Sequence, residues 1–312
     1  MCALFAAGAK SYWGKTNMPL PHSNRAPLAG VKIIEMAGIG PAPFSAMQLA
    51  DMGADVVRID RAQTAAGGIS LSPQLDITGR GKRSIAIDLR DSEGQATALA
   101  LISKADGLIE GFRPGVMERF NLGPDTCLAA NPALTYGRMT GWGQTGPYSA
   151  MAGHDINYLG LSGALHAMGD AATPPRPPLN LVADYAGGAL MLTSAMLAGL
   201  LQAKLSGTGT VIDAAMTDGS ASLMALFHSL SAMGLWNRER STNFLDGSAP
   251  FYRCYATKDG HYMAVGAIEP QFYGALLSLL GLEALAAYHQ FDQSRWGELA
   301  AAIAERFASH TQ

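Results

Sequence analysis

A chain of 312 residues is longer than one ordinary hydrophobic core needs, so two domains, or one domain with a large extension, are expected. Hydrophobic residues make up 48% and charged residues only 15%, a globular composition with so much apolar surface that self-association is expected. The net charge of −3 and the lack of any long basic block argue against nucleic acid or an anionic membrane surface as partner.

Residues 1–26 read as an extension, disordered or outside the true start, with no acid before Glu35 and no Arg-rich amphipathic pattern of a transit peptide. Structure is predicted to begin with a β-branched run at 30–38 (GVKIIEMAG), followed by a Gly/Pro loop (GIGPAPF), a helix (SAMQLADMG) and a second strand (ADVVRID). The alternation continues through SIAIDL, a helix over 93–104, GLIEGF, a short helix at VMERF and a strand within ALTYGRMTGW. This order is that of a parallel, doubly wound α/β sheet. After a Gly- and Pro-rich stretch carrying PPRPP at 174–178, an apolar helix is predicted over 185–203. It is long enough to span a bilayer, but half of it is small residues, and it reads as a core helix. A strand at TVIDAAM and an apolar helix over 218–236 follow, and near 247 a smaller region opens with two strands joined at Lys258, Asp259 and Gly260. The expected domains are therefore a large α/β domain over 27–240 and a smaller α+β domain over 247–312, the latter cut short at its C-terminus.

Three ionisable sites stand alone in apolar text. His154 and Asp155 are adjacent, Asp155 being the one formal charge between Arg138 and Asp170; Asp184 is alone between Arg176 and Lys204, and Glu269 between Asp259 and Glu283. Such carboxylates must be paired, hydrogen-bonded or protonated, which is also how acid/base groups are tuned. Bland readings stay open: Asp184 precedes the predicted helix and could be its N-cap, Glu269 could cap the helix after Pro270, and His154 could be a structural imidazole. Metal chemistry is unsupported, because HxxxH, HExxH and Cys/His clusters are absent; GxSxG is absent too. Cys2, Cys127 and Cys254 are far apart and read as reduced thiols. Basic residues gather at predicted strand ends: Arg58, Arg61, Arg80, Lys82, Arg83 and Arg113. Open α/β sheets bind ligands there, so these groups could converge on a phosphorylated ligand or form a solvated rim.

The runs PLAGVKIIEMAGIGPAPFSAMQLADMGADVVRIDR, GRGKRSIAIDL, EGFRPGVMERFNLGP, GWGQTGPYSAMAGHDINYLGLSG, PLNLVADYAGG, GTVIDAAMTDG and SAPFYRCYATKDGHYMAVGAIEPQFY, in that order, resemble the alpha-methylacyl-CoA racemases, a branch of the family III CoA transferases. The resemblance implies a large Rossmann-like domain plus a smaller α+β domain. It implies an isomerase that inverts the carbon beside the thioester carbonyl of 2-methyl-branched acyl-CoAs in fatty acid or sterol side-chain metabolism, with no metal or redox cofactor, CoA being part of the substrate. His154 and Asp184 would be the two bases, Glu269 would orient the imidazole, and Asp155 would support it. Arg61 would lie near the adenine and phosphates, Arg80, Lys82, Arg113 and Arg119 would be phosphate contacts, and Tyr158 would stand near the pantetheine. Met191, Met196 and Met216 would belong to an adaptable acyl surface.

An interlocked homodimer is implied as well, in a bacterial cytoplasm or, in a eukaryote, a peroxisome or mitochondrion. The alternative within the family is a CoA transferase using Asp184 as nucleophile; GHDINY and the lack of a GGGG run favour the racemase. Outside catalysis, the chain would be a module that binds CoA without turnover.

Overall fold

Six strands form one parallel sheet in the computed structural model, which describes residues 26–62, 72 and 74–312. In chain order they are β1 (Lys32–Met36), β2 (Asp55–Arg61), β3 (Lys82–Ile87), β4 (Gly107–Glu110), β5 (Thr135–Thr140) and β6 (Thr210–Ala215). Their spatial order is β3-β2-β1-β4-β5-β6, so the strand order reverses between β1 and β4. The predicted N-terminal extension up to residue 25, with Cys2, lies outside the described residues.

Strands covered on both faces read as continuous apolar runs, and β1 shows why. Its neighbours Ile33 and Ile34 point to opposite sides and enter two different cores. The first core holds α1 (Pro41–Asp51) and α6 (Met191–Ser206), through Leu49, Leu192 and Met196. The second holds α2 (Ser92–Ile102), α3 (Val116–Arg119) and α4 (Pro124–Ala130), through Ile102, Met117 and Cys127.

Two ion pairs are buried in this sheet. Glu35 of β1, 0% exposed, accepts from Lys82 Nζ at 2.6 Å. Arg138 of β5 donates to its cross-strand neighbour Glu110 of β4 at 2.9 Å and to Glu118 at 2.8 Å. Burial pushes the Glu35 carboxyl up to about 7 in spite of Lys82, and raises Glu110 as well.

The predicted 185–203 helix differs from the observed one. The chain is helical from Leu181, with π-helical turns over Leu181–Leu190 leading into α6, and Asp184 lies inside the first turn instead of capping it. The cap comes from another element, described below, and this lets the helix begin earlier. By length and composition Leu181–Ser206 could cross a membrane; here Leu192, Thr193, Met196 and Gly199 bury one side of it within the fold. The predicted 218–236 helix is broken at Met224 into α7 (Met216–Leu223) and α8 (Ala225–Ala232).

The chain divides into two compact units, the larger ending at Ala225, whereas the sequence places that boundary near residue 240. The smaller unit takes Leu226–Gln312 together with His166–Arg176. Within it, edge-on ring contacts run from Phe227 through Trp236, Phe244 and Phe291 to Phe251, which ties the segment after Ala225 into the core of this unit. Arg240 donates to the carbonyls of His166, Asp170 and Thr173, which accounts for the inserted segment. The rest is an antiparallel hairpin, β7 (Tyr252–Ala256) and β8 (Tyr262–Gly266), with α9 (Pro270–Leu279) and α10 (Trp296–Ala308). Its predicted turn is present, with Gly260 at φ 78°.

The π-helical segment is seated on α7 by a glycine pair: a Cβ on Gly219 would overlap the carbonyl oxygen of Gly187, and one on Gly187 would lie 2.8 Å from the Ser220 nitrogen. Gly219→Ala is therefore expected to cost about 1–3 kcal/mol through overpacking. Urea unfolding checks this, with a lowered midpoint as the expected outcome.

Candidate active site

Helix α5 (Asp155–Ser162) begins at His154, whose extended backbone makes it the N-cap. The His154 amide donates to Asn157 Oδ1 at 3.0 Å, and its carbonyl accepts from the Asn157 amide at 2.8 Å. This fixes the backbone and leaves the imidazole exposed.

The next residue does more. Asp155 is only 5% exposed, and its Oδ2 accepts from the amides of both Ala183 and Asp184 at 2.8 Å each. Those amides belong to the first turn of the π-helical segment, where a helix lacks internal acceptors. The N-cap position is Asn180, and Asp155 supplies from a distant element the capping acceptor that one sequence reading sought in Asp184; its buried Oδ1 has no hydrogen-bond partner among the described residues. Asp155 therefore supports Asp184 directly.

Asp184 is half-buried and accepts from Asn180 Nδ2 at 3.2 Å. Burial raises its carboxyl above the usual range; the Asn180 hydrogen bond opposes this, the negative Asp155 adds to it, and His154 lowers it. His154 and Asp184 thus lie within electrostatic reach of each other, joined through Asp155. The loop after β1 passes along the carboxylate: Gly40 has φ 70°, and a Cβ there would come within 3.7 Å of Asp184 Oδ2. Tyr158 packs edge-on to Trp142 with ring centroids 4.7 Å apart, in a seat where a Cβ on Gly141 would overlap its ring. Burial and the neighbouring Asp184 push its hydroxyl up to about 12. Tyr158 accordingly belongs to the surroundings of Asp184.

A cavity of about 620 Å³ opens at the carboxyl ends of β1 to β4. Arg61 and Arg113 line it, as the strand-end reasoning expects, and neither has an ion-pair partner among the described residues. Arg90 lines it too, beside Asp88 at 2.5 Å, and was missed although it follows the β3 strand end under the same rule. The other cationic candidates are placed elsewhere. Arg80 makes a two-pronged pair with Asp51 of α1, at 3.0 and 2.5 Å. Lys82 is a correction to the phosphate-contact expectation: its side chain is 2% exposed, its Nζ donates to Glu35 and the Pro43 carbonyl, and it does not line the cavity. Arg119 is exposed at the end of α3 and does not line the cavity.

Glu269 belongs to the smaller unit, where it occupies the N-cap position of α9. Its carbonyl accepts from the Phe272 and Tyr273 amides, but its exposed side chain makes no capping bond. Met196 is fully buried against Gly107 and Gly137, a core residue and not part of an open acyl surface. Met216 is buried in the same core, and Met191 is half-buried. Cys127 is buried, its thiol pushed up to about 12 by desolvation, and is inert; Cys254 is exposed. Among the described residues no His, Cys, Asp and Glu cluster is suited to a metal ion.

Chemically, the arrangement offers an exposed imidazole and a carboxylate of raised basicity on two helix starts locked together, beside a cavity with unpaired arginines. Comparison with known proteins places nearly the whole chain among its relatives. The chain is 46% identical over 285 residues to the alpha-methylacyl-CoA racemase of Mus musculus, covering 91% of this chain and 73% of that protein. It is 44% identical over 287 residues to the Homo sapiens alpha-methylacyl-CoA racemase, with the same 91% and 73% coverage. Among solved structures it is similar to a CAIB/BAIF family protein from Brucella suis, with a TM-score of 0.74 and 28% identity over 92% of this chain and 79% of that one. The model of CoA-transferase family III matches residues 28–312, and the chain belongs to that family.

Proposed function

We propose that the chain is a racemase of 2-methyl-branched acyl-CoA thioesters. The observation that carries this reading is the pair formed by His154 and Asp184, two groups able to accept and donate a proton, held at adjoining helix starts by one buried carboxylate. The similarity to the two mammalian racemases supports it.

Racemisation needs only proton movement. One base takes the proton from C2, and the electron pair of the broken C–H bond delocalises into the thioester carbonyl as an enolate. The conjugate acid on the other face then delivers a proton to C2, and the carbonyl is restored. In this reading His154 and Asp184 serve the two faces, so each epimer has its own base and its own acid. A raised Asp184 pKa suits both of its tasks, since a group that must give a proton back near neutrality cannot be a strong acid. No cofactor is called for, CoA being part of the substrate.

The cavity is read as the seat of the CoA nucleotide, with Arg61, Arg90 and Arg113 as phosphate partners. From Ala37, which lines it, the backbone needs only Gly38 and Ile39 to reach Gly40 beside Asp184. A thioester tethered in the cavity would therefore arrive at the two bases.

The test is incubation of a single 2-methylacyl-CoA epimer in deuterium oxide, where deuterium at C2 and the second epimer are expected; absence of both overturns the reading. His154→Ala and Asp184→Asn are each expected to slow exchange by about 100-fold or more. An acid-dependent CoA exchange that survives His154→Ala would instead mark a transferase. For the epimer deprotonated by Asp184, kcat/KM falls as pH drops and the carboxylate is protonated; because the pKa is raised, the midpoint lies above the ordinary value of about 3.9. A pH–rate profile checks this. Arg61→Ala and Arg113→Ala are each expected to raise KM by about 10- to 100-fold, from about 1.5–3 kcal/mol per charge-assisted bond, with little change in kcat.

A further inference from the structure

Lys82 has no role in the chemistry above, yet it is buried at the point where the sheet meets the first turn of α1. Its Nζ lies 2.6 Å from Glu35 Oε2 in β1 and 2.8 Å from the carbonyl oxygen of Pro43 in α1. That turn is poor in bonds of its own. Pro41 and Pro43 have no amide hydrogen, and the Phe44 amide reaches Gly40 O only at 3.4 Å. It is held from outside instead, by Lys82 at Pro43 and by a hydrogen bond of 2.9 Å between the Ser45 and Thr193 hydroxyls.

The same turn forms one wall of the site. Gly40 lies against Asp184 Oδ2, and Pro41 Cβ would lie 3.2 Å from a Cβ placed on Gly188, one turn further along the same segment. A shift of the α1 start is therefore passed to Asp184, because the segment is also packed without spare room against α7, where Gly187 and Gly219 approach too closely to admit a Cβ. We propose that Lys82 is a positioning residue for proton transfer at Asp184: braced by Glu35, it bonds the Pro43 carbonyl and fixes the first turn of α1 against the catalytic carboxylate. This role rests on the racemase reading. A surface phosphate contact would need an exposed ammonium, and this one is 2% exposed with both neighbours in hydrogen-bond contact.

Removing Lys82 alone would leave Glu35 uncompensated in the core, with risk to folding. The informative variant is the double change Glu35→Gln with Lys82→Met, which removes both charges and the bond to Pro43 at nearly constant volume. Glu35→Gln alone keeps that bond and serves as comparison. Against the wild type, the double variant is expected to show kcat lowered about 10- to 100-fold. Its KM for acyl-CoA and its calorimetric Kd for free CoA should stay within about twofold, well inside one decade of affinity. Amide hydrogen exchange should quicken in peptides covering 38–46 and 180–190, while Glu35→Gln keeps kcat near the wild-type value. A double variant with wild-type kcat overturns the proposal. So does one with weakened CoA binding and intact kcat, which would make Lys82 a ligand contact, or one that does not fold, which would make the pair a determinant of stability only. If the wild type exchanges no deuterium at C2, the racemase reading fails separately, and the exchange rates of the two peptides decide whether Lys82 braces Asp184.

Discussion

The site depends on one buried carboxylate. Asp155 satisfies two amides at the start of the Leu181–Leu190 segment while standing in the first turn of α5, so two helix starts share one anchor. A helix N-terminus carries partial positive charge and unpaired donors, and an anion placed there is stabilised without a counter-ion. In this way a near-neutral stretch of sequence can bury a charge. It also follows that Asp155 is occupied, whereas the flanking His154 is exposed and the Asp184 carboxylate, among the described residues, accepts a side-chain hydrogen bond from Asn180 alone.

Around that anchor, the parallel sheet supplies position. The cavity lies where the strand order reverses between β1 and β4, outside the carboxyl ends of the strands, as open α/β sheets dictate. The loop leaving β1 serves both places: Met36 and Ala37 line the cavity, and Gly40 meets Asp184. Nucleotide recognition and proton transfer are thus built on one connection, and the buried pairs Glu35 with Lys82 and Arg138 with Glu110 cross-link the strands beneath it.

Much of this was legible in the sequence, because parallel strands covered on both faces read as β-branched runs and because a charge isolated in apolar text must have a local reason. The first fact predicts strand runs ending at Gly38, Asp60 and Leu89, within two residues of the observed ends at Met36, Arg61 and Ile87; the second singles out His154, Asp155, Asp184 and Glu269. What was not legible depends on partners far apart in the chain. Nothing near Asp184 in sequence says that residue 155 caps its helix, so Asp184 reads as the cap. Likewise, Arg61 and Lys82 look alike as bases beside strands; only Glu35, 47 positions away, turns one of them inward. Arg90 directly follows the predicted strand SIAIDL, whose end at Leu89 lies two residues beyond the end of β3 at Ile87, so the strand-end rule applied to it as much as to Arg61.

The π-helical turns before α6 carry a consequence of their own. Such a turn accommodates more residues than an α turn, so the register between Asp184 and α6 contains surplus chain. Deleting a single residue between Tyr185 and Leu190 would remove that surplus and let ordinary α turns run from Asp184 into α6, with the carboxylate facing in nearly the same direction. The same deletion within the regular turns of α6 has no wide turn to absorb it and would swing everything before it by about 100° around the axis. Divergence within this fold is therefore freer in length at the wide turns than in the helix that follows: a gap in the first can leave the aspartate aimed as before, whereas a gap in the second turns it away.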